Sequence, residues 1–148
     1  MLLPLDDFYA SWAPALMAII ANAEGPFRAW PLHRMELGDI GWKREVGSGV
    51  TYLGYAAHVS TPFVDEGVNC SMYDAVVLAE RIIQHCGRVS SLTNDSTARL
   101  EKALASYEED MFERCRDLVR RSTGSEEMLF AENAAELLLQ AINGLNGA

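Results

Sequence analysis

The amino-acid sequence predicts an α+β fold that is mostly helical, with one or two short strands. Three observations carry this. Apolar residues recur at helical spacing in four separate runs. Two short stretches are rich in bulky, β-type residues, and clusters of Gly, Pro and Ser fall between the runs. The 148 residues, 49% hydrophobic and 22% charged, suit one globular domain over 1–148 with a real core.

Each element has its own signal. Ser11 can cap a helix from Trp12 to about Ala23, and Pro14 is tolerated in its first turn. Trp12, Leu16, Ile19, Ile20 and Ala23 share one face, and Gly25-Pro26 ends the run. Phe27 to Leu37 reads as an extended segment, with Pro31 marking an edge or irregular strand. Gly38 to Gly49 is turn-rich, and Val50-Thr51-Tyr52-Leu53 is a short strand stopped by Gly54. A loop covers Gly54 to Glu66. The next helix runs from about Gly67 to Cys86, with an apolar stripe of Val68, Met72, Val76, Ala79 and Ile83 and a C-terminal cap at Gly87. Ser90 to Ser96 is a polar linker. A long amphipathic helix over Thr97 to Arg121 carries Leu100, Leu104, Tyr107, Met111, Cys115 and Leu118, and Ser122-Thr123-Gly124-Ser125 interrupts it. A last helix spans about Glu126 to Asn143.

The net charge of −9 argues against nucleic acid, whose phosphates are bound mainly by Lys and Arg, and against an anionic membrane surface. The acidic N-terminus does not read as a secretory signal, and no apolar run approaches the ~20 residues that span a bilayer. Cys70, Cys86 and Cys115 lack metal-ligand spacing, so no metal is expected; they read as reduced residues of a cytoplasmic protein. Few partners exist in the chain for its short strands, which leaves an edge to be covered and predicts a homodimer or a partner chain.

The segment Gly54-Tyr55-Ala56-Ala57-His58, followed by Pro62-Phe63-Val64-Asp65-Glu66-Gly67-Val68-Asn69, resembles the flavin-contacting motif near the C-terminal end of class A FAD-dependent monooxygenases of the aromatic-ring and tetracycline hydroxylase type. That family writes G-D-A-A-H, then P-x-x-G-x-G-x-N. Trp12-Ala13-Pro14 and Tyr107-Glu108-Glu109-Asp110-Met111-Phe112-Glu113-Arg114 extend the resemblance over about Phe8 to Ile142. The resemblance implies a truncated remnant of the C-terminal third of that fold. Pro62, Gly67 and Asn69 are then the cofactor-binding candidates if FAD is bound.

Two letters depart from the pattern. Tyr55 replaces the aspartate and Asp65 replaces the first glycine, which places a phenol and a carboxylate toward an anionic cofactor. No G-x-G-x-x-G fingerprint occurs, and Gly47-Ser48-Gly49 has no βαβ context. The expected cofactor is therefore none, with FAD as the alternative.

Carboxylates and a phenol in a partly dry pocket can act as general acid or base. Tyr55, His58, Asp65 and Glu66 are the catalytic candidates; His58 also reads as a loop-shaping residue. Trp30, Phe63, Asn69 and Tyr73 are substrate-binding candidates, with Trp12, Phe27 and Trp42 as core or pocket wall. Asp74 reads as a helix-dipole residue, His33 and Arg34 as surface positions, His85 as a dipole-compensating residue, and Glu108, Glu109, Asp110 and Glu113 as a solvated face. The resulting expectation is a flavin-independent enzyme of a natural-product pathway. It would promote cyclisation (including a pericyclic one), isomerisation or dehydration of a small hydrophobic, polycyclic or aromatic substrate. The alternatives are an FAD-binding monooxygenase fragment that works with a partner chain, and a non-catalytic binding protein.

Overall fold

The computed structural model describes residues 9, 11–25, 28, 30–44, 49–87 and 94–146. Phe27, Gly47-Ser48 and most of the Ser90 to Ser96 linker lie outside the described residues. The chain divides into two compact units, Met1–Pro31 and Leu32–Ala148.

In the first unit, helix α1 spans Pro14–Ala21, with Pro14 at its start where a missing N–H costs nothing. Helix α1 buries no residue, and Trp12 and Trp30 are exposed rather than core.

The second unit is built on two packed helices. Helix α3 spans Gly67–Cys86 and helix α4 spans Asn94–Leu129. Before them lie a 3-10 turn at Leu37–Asp39, the short helix α2 at Tyr55–His58 and a 3-10 turn at Pro62–Val64. Helix α5 covers Ala134–Asn146. The stripe foreseen on α4 is the core: Leu104, Tyr107, Met111, Cys115 and Leu118 are all buried. Ile40, Ala57 and Val77 pack against it, with Met35, Trp42, Leu78 and Phe112 at the margin. Trp42 meets Phe112 and Tyr52 edge-on, at 4.7 and 5.3 Å between ring centres.

Four expectations are corrected. No strand occurs among the described residues. Val50 to Leu53 and the described residues from Phe27 to Glu36 carry no regular secondary structure, and Leu37 opens a 3-10 turn. A strand without a partner is only extended chain. Second, Ser122-Thr123-Gly124-Ser125 does not interrupt α4. Ser122 is buried and donates to the Thr61 carbonyl at 2.7 Å, so its hydroxyl is engaged across the fold instead of competing with its own helix. The chain breaks later, at 130–133. Third, Glu108 is not on a solvated face. It is buried and accepts hydrogen bonds from Trp42 Nε1, Arg44 Nη1 and Thr51 Oγ1 at 3.1, 2.5 and 2.7 Å. Fourth, the apolar stripe of α3 faces outward. Val68, Met72, Val76 and Ile83 are 67, 66, 52 and 71% exposed, while Asp74 and Val77 are the residues buried against α4.

Candidate functional site

The segment from Gly54 to Asn69 forms a bent loop that ends at the N-terminus of α3. Gly54 sits at φ 60 and ψ −145, a conformation that only glycine adopts without strain, and a Cβ there would press on Ser71. The turn lets Gly54 accept from Ala57 and His58 N–H and start α2. The far side of the loop is stapled to α4. Thr61 Oγ1 lies 2.7 Å from Ser122 Oγ and donates toward Glu126 at 3.2 Å. Glu126 also accepts from Arg34 at 2.8 Å. Arg34 is thus an anchor of the loop rather than a free surface residue.

Under the loop lies a buried charge site. His58 and Asp74 are both fully buried, with His58 Nε2 2.6 Å from Asp74 Oδ2. The same oxygen accepts from Gly54 N–H at 2.9 Å, and Oδ1 accepts from Arg114 Nη1 at 3.1 Å. Burial opposes the Asp74 charge, but the His58 ring, the Gly54 N–H and Arg114 outweigh it and hold the carboxyl below its ordinary range. Burial works against the Arg114 charge as well, yet Asp110 and Asp74 raise its pKa above the ordinary value. Asp74 was legible only as a helix-dipole residue. Its pairing with His58, sixteen positions earlier, is a tertiary contact.

His58, Asp74 and Cys115 present potential metal-ligand atoms within 4.8 Å of one another. The chemistry does not suit a cation. Asp74 already accepts from three donors, one of them a guanidinium. Burial and the nearby Asp74 push the Cys115 thiol up to about 12.

The four catalytic candidates sit in different surroundings. Tyr55 is half exposed and its phenol lies over Gly67: a Cβ on that glycine would stand 2.6 Å from the hydroxyl and 2.8 Å from the ring. His58 is sealed beneath the loop. Asp65 is exposed and left-handed at φ 53, so it keeps the backbone conformation that glycine would favour while adding a carboxylate. Glu66 is bound by Arg121 at 2.6 and 2.8 Å, and that pairing lowers its pKa.

Of the substrate-binding candidates, Phe63 packs edge-on against Phe130 at 5.6 Å. Tyr73 lies under the Arg114 guanidinium, 4.8 Å from its ring centre. Asn69 is exposed, and Trp30 belongs to the first unit. Beside Tyr55 an open, mostly apolar groove of about 390 Å³ is lined by Gly54, Tyr55, Val68, Ser71, Met72 and Ala75.

Comparison with known proteins fits this arrangement to a lineage. The chain is 31% identical to the monooxygenase asqM of Emericella nidulans over 93% of its own length and 33% of that protein. It is 29% identical to the monooxygenase penA of Penicillium thymicola, over 92% of the chain and 32% of that protein. It is 34% identical to an FAD-dependent urate hydroxylase of Klebsiella pneumoniae, over 80% of the chain and 27% of that protein. The chain is a relative of FAD-dependent monooxygenases. It spans about a third of the length of the curated relatives it matches. No family model and no solved structure matches it.

Two features of this chain weigh against a flavin at the motif. Tyr55 covers the start of α3 at Gly67, where backbone N–H groups would face the cofactor, and the carboxylates of Asp65 and Glu66 flank the same point. Pro62 and Asn69, which match the motif, are exposed beside it. Among the described residues no helix is long and apolar enough to cross a membrane.

Proposed function

We propose that this monooxygenase relative promotes a cofactor-independent, non-redox step on a small hydrophobic, polycyclic or aromatic molecule. The step is a cyclisation, an isomerisation or a dehydration in a natural-product pathway, in a cytoplasmic setting. One observation carries the reading: the Tyr55 phenol occupies the face of Gly67 that the flavin motif would keep open.

The groove beside Tyr55 supplies an apolar floor from Val68, Met72 and Ala75. Such a surface holds a flat ring by burial and orients it. Tyr55 stands at the rim, where its hydroxyl can donate to an oxygen that gains charge during the reaction. Asp65, exposed on the adjoining loop, is the candidate proton acceptor. His58 cannot touch a substrate; it is a positioning residue, because Asp74 binds both its ring and the Gly54 N–H that sets the groove's edge. Glu66 is held by Arg121 and orients the loop.

The test is a visible absorption spectrum of the purified protein, before and after incubation with excess FAD and removal of free flavin. A colourless protein that converts a pathway intermediate without cofactor, with Tyr55→Phe slower by about a hundredfold, supports the reading. Flavin bands that survive desalting sink it.

A second reading has its own support. Relatives that include an FAD-dependent urate hydroxylase, together with Pro62, Gly67 and Asn69 at their expected places, favour an FAD-dependent activity. The dinucleotide-binding fold would then come from outside these 148 residues. Retained flavin in the same experiment selects this reading.

A further inference from the structure

We draw no further inference here: the strongest candidate, the outward apolar face of α3 formed by Val68, Met72, Val76 and Ile83, is an unpartnered surface, and nothing in the structure shows what covers it.

Discussion

Replacing Asp74 with Asn removes one charge and almost no volume. In the native fold Asp74 is fully buried and accepts three hydrogen bonds: His58 Nε2 at 2.6 Å, Gly54 N–H at 2.9 Å and Arg114 Nη1 at 3.1 Å. The donors approach both oxygens. Whichever oxygen becomes the amide NH₂ then points a donor at a donor, toward Arg114 in one orientation and toward His58 and Gly54 in the other. Breaking a buried charge pair typically costs about 3 kcal/mol or more. For a chain of this size that corresponds to a fall of roughly 6–12 °C in Tm. The pH dependence has a definite sign. The folded-state pKa of Asp74 is depressed, so its contribution is fully present above the ordinary carboxyl value of 3.8 and is lost as pH falls through the lower folded value. The gap between wild type and Asp74→Asn should therefore be constant near neutrality and close below about pH 4. Urea denaturation followed by circular dichroism at several pH values measures both quantities. A loss under about 1 kcal/mol at pH 7 would refute the view that this site holds the loop to the helices.

Three further outcomes are expected. Ser122→Ala should destabilise by about 1 kcal/mol in urea denaturation, because the Thr61 carbonyl loses its donor. Glu108→Gln should cost about 1–3 kcal/mol and blue-shift or broaden the Trp42 fluorescence, since one Glu108 oxygen serves Trp42, Arg44 and Thr51 together. Cys115, 1% exposed and with a thiol pushed up to about 12, should resist alkylation at pH 8 in the native protein and react only after denaturation; rapid native labelling, read by peptide mass, would contradict that placement.

Much of the helical framework follows from local chemistry. The stripe from Leu104 to Leu118 is apolar at a period of 3.6, so the helix that bears it must turn that side to the core, as it does. Helix α3 begins and ends at Gly67 and Cys86, where Gly87 takes the positive φ that a C-terminal stop favours. The flavin-type motif was also legible, because its spacing of Gly, Pro and Asn encodes a backbone path. Gly54 and Asp65 both take a positive φ, the conformation that glycine favours, at the two ends of the loop.

What the sequence could not state is which side of each element meets what. The period of α3 located its apolar stripe, but burial depends on a neighbour. Within the described residues α4 meets the other side, through Asp74 and Val77. Strand character in Val50 to Leu53 likewise needs a pairing partner that local propensity does not supply. The site itself was decided by long-range contacts. His58 reaches Asp74, Asp74 reaches Arg114, and Tyr55 folds onto Gly67. Each joins residues far apart along the chain, and only the packing of the loop against α3 and α4 brings them within hydrogen-bond or van der Waals distance.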